Sequence, residues 1–488
     1  MKRMLLVGAA ALNLLPLNAS HETSAGKEPA PVVVSLNPSH NYEPIACVPC
    51  STHSQIDVQV ARARAAYPAW SSRTVGERVQ ILNGVYETLK ERRDEIAALT
   101  TKEMGMPASV RNRIDIDAGL AYMRGYLDHA EAWLAPEITF QNEQETHTLF
   151  FEGRGVAGVS VAWNYPFCNF IWGVMQNLVV GNTVVFKHSE ECPLVGVLLE
   201  EIVNSTELPK GVFNAVHGIG SDVGEYLMNS DIDLIHFTGS SKVGKHLYEV
   251  AARKFIPAVL ELGGSAPAIV CEDADISLVV ESVYFNRFIN SGQTCDGLKR
   301  LIVHRSKLEE VVAGIKDILA SKKMGDAEDP LTDIGPLVAK RQVDALQQQV
   351  ADAIAQGATV IVCIEQDPAL RGAYYPPTII TGITPDMRVW KEEVFGPVLP
   401  VVAFDTIEEA IALANDTSYG LGGYVYTQNR ESALAISRQL KTGNVTINGA
   451  DYVIAEDPFG GCKNSGLGRE HGKHGLRELC TVKLVALK

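Results

Sequence analysis

The sequence predicts an α/β protein with two α/β regions, the first built on a parallel sheet, a cleft between them and a small β arm. Three observations predict it. Residues 156–261 alternate short apolar runs with segments of helical period, at the spacing of βαβ units. A second α/β region, with helices and a strand, follows Gly263. Residues 138–151 alternate polar with apolar side chains, as an exposed hairpin does.

Taken in order, residues 32–48 read as short strands around an Asn37-Pro38 turn. An alanine-rich helix covers 55–69. A second runs over 75–99, with Val79, Leu82, Val85 and Leu89 on one face and charged residues opposite. A third covers 114–133 and ends before Pro136, after which the hairpin 138–151 begins. Strands are expected at 156–162, 183–187, 212–216, 234–238 and 258–261, separated by helices over 167–180, 193–203, 223–228 and 242–253. Sheets of this kind bind ligands at the carboxyl ends of their strands. Beyond Gly263 come helices at 278–289, 307–319 and 338–356, a strand at 301–304, and a helix at 407–414 that Thr406 and Glu409 open as a capping box. Residues 479–487 read as a terminal strand suited to pair with the hairpin of another subunit.

A chain of 488 residues exceeds one ordinary core. Its net charge of −15 leaves no basic footprint, which argues against nucleic acid and anionic membranes as partners. The nine cysteines are odd in number and irregularly spaced, which argues against a disulfide scaffold and for a reducing, cytoplasmic setting. Cys47 and Cys50 form a CxxC, but no second pair lies near them, and no metal is assigned. Lys2-Arg3, the apolar run 4–17 and Asn18-Ala19-Ser20 are similar to an export signal, too short to span a bilayer. Residues 1–31 are read as a leader or an upstream start, with export as the alternative.

Three segments carry chemistry. FINSGQTCDGLKR places Cys295 in a short polar turn between apolar elements, a way to present a thiol. VAWNYP puts the neutral amide of Asn164 just past a strand end, where it can donate to an oxyanion without competing for protons. LELGG sets Glu261 on an apolar strand before two glycines, and burial there would raise its pKa toward that of a usable base. Each alone is ordinary turn or core chemistry.

In register they are not. From about Val32 onward the chain resembles the aldehyde dehydrogenase superfamily, through WNYP, GNTVVFKHSE, FTGSSKVG, LELGGSAP, FINSGQTC, EEVFGPV and PFGGCKNSGLGRE in family order and spacing. The resemblance implies a Rossmann-like NAD-binding domain (32–133 and 153–262), a second α/β catalytic domain (263–464) and an oligomerisation arm (134–152 and 465–488) of a homodimer or homotetramer. It implies that Cys295 adds to an aldehyde carbon, that Asn164 and the Cys295 N–H hold the oxyanion, and that Glu261 activates the water that releases the acid. Glu470 matches a position credited with proton relay and is read as structural. NAD, with NADP possible, would be held by Trp163, Lys187, Glu190, Gly224, Phe237, Thr238, Gly239, Ser240, Val243, Leu262, Glu393 and Phe395. Gly239-Ser240 opens a helix whose N-terminus suits a pyrophosphate. The carboxylate of Glu190 favours free ribose hydroxyls over a 2′-phosphate, hence NAD over NADP.

The chain also departs from the family pattern. His188 replaces a proline after Lys187, a change expected to loosen or re-aim the loop, and Ser265 replaces a lysine. Asp296-Gly297 is an unusual pair after the nucleophile, and Asp296 is expected to face away from the thiol. Trp172 and Ile289 stand where relatives acting on succinic semialdehyde carry arginine, so a carboxylated semialdehyde is disfavoured for want of its cation and stays an alternative only with a cation from elsewhere in the chain. Tyr165, Trp172 and Phe459 outline an aromatic pocket for aliphatic or aromatic aldehydes, with betaine aldehyde or ω-aminoaldehydes as the alternative through cation–π contact. Glu261 argues against a CoA-acylating relative, which usually lacks that carboxylate.

Overall fold

In the computed structural model, which describes residues 31–450 and 454–488, the first strand–helix alternation closes into one six-stranded sheet. Its order is Gly466–Leu467, Ala258–Glu261, Leu234–Thr238, Val156–Ser160, Thr183–Lys187, Phe213–Val216, parallel except for the first pair. The strands read as near-continuous apolar runs because both faces are covered. Val184, Phe186 and Val259 enter one core, while Val185, Ala258 and Leu260 enter another. The second region forms a seven-stranded sheet, of which the sequence reading gives only the strand at 301–304: Thr359–Val362, Thr378–Thr381, Val398–Phe404, Leu298–His304, Ala266–Val270, Tyr424–Tyr426, Thr446–Ile447. It too is parallel except for its first pair. The chain crosses from sheet to sheet through Leu262–Ser265, directly after Glu261.

The arm is a three-stranded antiparallel sheet of Cys480–Leu487, Thr146–Gly153 and Glu137–Gln141. The tail therefore pairs with the hairpin of its own chain, not another subunit's. Arg154 donates to the Glu478 carbonyl, and Leu476, Leu479 and Cys480 are buried in the first core, so the last strand leaves beside Gly153. Residues 465–488 are also not all arm, since Gly466–Leu467 extends the first sheet beside Leu260 and Glu261.

Several helices differ from their sequence reading. The predicted helix 75–99 is two, Val75–Glu91 and Arg93–Met104, because Arg92 leaves helical geometry (φ −97°, ψ 14°). Asp94 and Glu95 favour a fresh N-terminus there. Helix 278–289 is α-helical only over Ile276–Val283 and then widens into a π turn, Tyr284–Phe288. Another π turn, Ile171–Met175, carries Trp172. Such turns are rare and gather at functional sites. At the helix Ile407–Asn415 only half the capping box forms: Thr406 Oγ1 accepts from the Glu409 N–H, but Glu409 accepts from Asp405. Full boxes occur instead at Thr52/Gln55 and Thr74/Glu77. The leader reading falls, but for Pro31, outside the described residues.

Candidate active site

Cys295 sits half-buried just before the strand Leu298–His304, at the end of a loop under strain. Asn290, Ser291 and Gly292 are consecutively left-handed, with φ of 52°, 52° and 72°. For the two non-glycine residues this costs about 1–2 kcal/mol each. Bracing holds them: Asn290 Nδ2 donates to the Asn164 carbonyl (2.9 Å), Ser291 Oγ to the Gly335 carbonyl (2.8 Å), and the Val338 N–H to Gln293 Oε1 (2.8 Å). Only glycine fits at 292, where a Cβ would come within 2.4 Å of the Gly396 carbonyl.

Asp296 faces the thiol, contrary to expectation, with Oδ1 3.9 Å from Sγ. Its carbonyl is held by the Tyr424 hydroxyl (3.0 Å) and Gly297 packs on the Asn286 carbonyl, which turns the side chain toward Cys295. Burial, and then the carboxylates of Asp296, Glu393 and Glu261, push the thiol well above its ordinary pKa, while Lys299 pulls the other way.

Asn164 follows the strand Val156–Ser160 and is buried. Asn169 Nδ2 donates to its Oδ1 (3.1 Å), which assigns the other end as the amide NH2. One of those N–H bonds goes to the Gln293 carbonyl (3.1 Å), tying the amide to the nucleophile loop. The following helix is anchored by Asp115, whose carboxylate accepts from the N–H groups of Cys168 (2.8 Å) and Phe167 (3.3 Å). Burial lifts this carboxyl's pKa to about 7 against those bonds.

Glu261 ends the strand Ala258–Glu261, is 3% exposed, and has no partner for either carboxylate oxygen among the described residues. Burial first, then Glu470 and Asp296, hold its pKa well above the usual carboxylate range, with Arg469 opposing. Gly460 makes room for it, since a Cβ there would stand 2.7 Å from Glu261 Oε1. Behind it, Glu470 Oε1 lies 2.6 Å from His236 Nε2, both buried. Asn182 Nδ2 donates to Asn177 Oδ1, so Asn177 presents its NH2 to His236 Nδ1 (3.0 Å). That leaves Nε2 as the protonated nitrogen, donating to Glu470.

The residues expected to hold a cofactor fall into two groups. In one, Lys187 Nζ donates to Glu190 Oε2 (3.1 Å), and Glu190 is drawn below the usual carboxylate range although burial opposes it. Gly220 and Gly224 lie against these two side chains: a Cβ would stand 3.6 Å from Glu190 and 3.4 Å from Lys187. Ser240 Oγ accepts from the Val243 N–H and caps the helix Ser241–Lys254, and Gly239 lies close against the Phe237 ring, 2.4 Å from where its Cβ would be. Val243 is largely exposed, and Thr238 pairs in register with Glu261. In the other, Trp163 meets Phe395 edge-on at 5.5 Å, and Glu393 Oε1 accepts from the Gly264 N–H (2.9 Å). Gly263 lies directly against the Glu393 carboxylate, where a Cβ would come within 2.3 Å of it; Leu262 packs against Gly244. A helix N-terminus, a partly exposed, ionised carboxylate and an aromatic pair suit the pyrophosphate, ribose and ring of a dinucleotide.

His188 does not loosen its loop. Burial pushes its imidazole down to about 4, and its Nε2 bonds the Pro166 carbonyl (3.2 Å), which ties the loop to the Asn164 segment. Of the pocket aromatics, Trp172 and Phe459 meet at 5.8 Å, with Tyr122 and His471 behind them. Tyr165 is instead tied to Thr294 Oγ1 (2.7 Å). Sequence reasoning missed Asp115, Asn169, His236 and Lys299. The last two left a signal, a histidine and a lysine inside apolar strand patterns.

A family model described as Aldehyde dehydrogenase family matches residues 25–485. The chain belongs to this family. It is 35% identical to the succinate-semialdehyde dehydrogenase [NADP(+)] of Deinococcus radiodurans, covering 94% of this chain and 96% of the relative. To the chloroplastic betaine aldehyde dehydrogenase of Beta vulgaris it is 34% identical, over 92% of each. A Mycobacterium tuberculosis aldehyde dehydrogenase solved with NAD+ superposes with a TM-score of 0.90 at 32% identity, over 94% of this chain and 95% of that one. Family members are oxidoreductases. Among the described residues no helix is long and apolar enough to cross a membrane.

Proposed function

We propose that the chain oxidises an aldehyde to its carboxylic acid with NAD(P)+ by covalent catalysis at Cys295. The observation that carries this reading is Glu261: a buried carboxylate with both oxygens unpartnered among the described residues, its pKa raised, among the groups acting on the Cys295 thiol. Leaving such a group unsatisfied is costly unless a water uses it. Cys295 Sγ, as the thiolate after its proton passes to water, attacks the aldehyde carbon, and the resulting oxyanion is received by the Cys295 N–H and the second N–H of Asn164, which Asn169 orients. When bound, the nicotinamide supplies the acceptor for the hydrogen and electron pair of that carbon. Cys295 is left as a thioester, and Glu261 takes a proton from water as that water attacks it.

Lys187, Glu190 and the Ser240-capped helix hold the adenosine half, and Glu393, Phe395 and Trp163 the nicotinamide half. Glu190 favours NAD over NADP. The six-stranded sheet carries the cofactor, the seven-stranded sheet the nucleophile, and the antiparallel sheet is the arm of a homodimer or homotetramer. Its exposed Ile138, Phe140, Val482 and Leu484 support that assignment. Trp172 and Phe459 favour an aliphatic or aromatic aldehyde. Asp296 supports a second reading, a cationic aldehyde, because it sets a carboxylate beside the thiol.

NADH formation with a panel of aldehydes, with and without CoA, tests this. Acid production independent of CoA is expected. No turnover from folded protein that still binds NAD would sink the reading, and turnover only with CoA would replace hydrolysis by acyl transfer.

A further inference from the structure

The nucleophile loop is built over a cation that the catalytic scheme above does not use. Lys299, on the strand Leu298–His304, is fully buried. Its Nζ donates to the carbonyls of Thr294 and Cys295, both at 2.6 Å, and stands 3.5 Å from Glu393 Oε1. Three acceptors around one nitrogen call for three N–H bonds, which only the ammonium form has. The Thr294 carbonyl and the Cys295 N–H belong to one planar peptide group. An ammonium on that carbonyl therefore fixes the direction of the N–H and strengthens it as a donor. The groups facing the thiol are otherwise carboxylates, Asp296, Glu393 and Glu261, and the other cation near Lys299 is Arg287, itself engaged with the Val394, Gly396 and Val398 carbonyls.

We propose that Lys299 is a positioning residue for the Cys295 nucleophile: its ammonium orients and polarises the peptide N–H that receives the oxyanion, and offsets the carboxylates crowded round the thiol. The oxyanion half rests on the proposed function, whereas the thiol half does not, so the two fail separately. Burial pulls the lysine's own pKa down and Glu393 opposes this. The same carboxylate thus links the residues expected to hold the cofactor to the nucleophile.

Lys299→Met, Lys299→Gln and Lys299→Arg test it in the full-length protein. The first readout is the pH dependence of Cys295 alkylation by iodoacetamide, without aldehyde, followed by mass. The second is kcat and KM for an aldehyde the wild type turns over. In the Met and Gln variants the alkylation midpoint rises by about one pH unit, a loss of about tenfold in rate at neutral pH. The Arg variant, which keeps the charge, stays nearer the wild-type midpoint. The kcat of Lys299→Met falls about 10²-fold, with KM moving far less. Lys299→Gln loses less, because its amide still donates to a carbonyl. An unmoved alkylation profile in the folded Met or Gln variant overturns the proposal, as does wild-type kcat in Lys299→Met. If Lys299→Met does not fold, the Gln variant decides. If the wild type oxidises no aldehyde, the proposed function falls while the alkylation profile still judges Lys299.

Discussion

The loop that carries Cys295 and the strand end that carries Glu261 are opposites. The loop is strained and fully tied down: left-handed non-glycine residues, with Asn290, Ser291, Gln293 and Lys299 each bonded to backbone. The strand end is regular β structure, yet its carboxylate has no partner among the described residues. A nucleophile has to be held in one place, and bonding pays for that strain. A base has to keep a high proton affinity, and every added hydrogen bond to its charged form would lower it. One site is made by bonds and the other by their absence.

Breaking either side should be near total, but in different ways. Cys295→Ala is expected to lower NADH formation by about 10⁴-fold or more while NAD binding, read by fluorescence titration, is unchanged. Glu261→Gln should keep the first burst of NADH, one equivalent per site, and lower steady-state acid release by about 10²–10⁴-fold. Because the Glu261 pKa is raised, wild-type acid release should climb with pH through a value above the usual carboxylate range, and Glu261→Gln should lose that limb. The same shift has a sign for stability. A carboxyl raised on folding stabilises below its unfolded pKa, and that stability is lost as pH rises through the folded value. Thermal melts of Glu261→Gln should therefore gain on the wild type toward high pH. Normal acid release in Glu261→Gln would remove it as the base.

Next in size is the oxyanion amide. Asn164→Ala should cost about 10²–10³-fold in kcat. Asn169→Ala, which removes only the bond that orients the amide, should cost less, with the deficit again in kcat rather than KM. Equal losses would mean that Asn169 supports the fold and not the amide.

How much of this was legible in the sequence follows the same division. Cys295, Glu261 and Asn164 could be read because each lies where a strand pattern breaks into polar or glycine sequence. The alternation that gave the five parallel strands of the first sheet is local, so these were read within a residue or two, whereas the antiparallel edge strand Gly466–Leu467, whose partner lies some two hundred residues earlier, was not. Lys299 and His236 could not be assigned. Each occupies one position in an apolar strand, and its partners lie in other segments, such as Glu393 and Glu470. The direction of Asp296 was misread because the bond that sets it comes from Tyr424 in the second sheet. The break at Arg92 and the π turns depend on tertiary packing that overrides helical period.

Strain in the loop predicts a stability effect. Gly292→Ala asks for a Cβ at φ 72° and 2.4 Å from the Gly396 carbonyl, so it should lower stability by about 1–3 kcal/mol and loosen Cys295. Chemical denaturation measures the first, and a faster but less pH-dependent alkylation of Cys295 would report the second. Unchanged stability would mean that the bracing bonds, and not the glycine, define the loop.

The smallest effect separates the loop's geometry from its charge. Asp296→Asn leaves the backbone bond from Tyr424 in place and removes one of the carboxylates that raise the thiol's pKa. Cys295 alkylation at neutral pH should then speed up, by about tenfold for each unit by which the thiol's pKa falls, with the bond-made geometry untouched. If Asp296 also serves a cationic aldehyde, KM for an amino- or trimethylammonio-aldehyde should rise in Asp296→Asn while KM for a neutral aldehyde of the same length does not. A parallel change in both would leave Asp296 as a tuner of the thiol alone. No change in alkylation would show that the carboxylate beside Cys295 is screened from it, and that the loop works through position and not through charge.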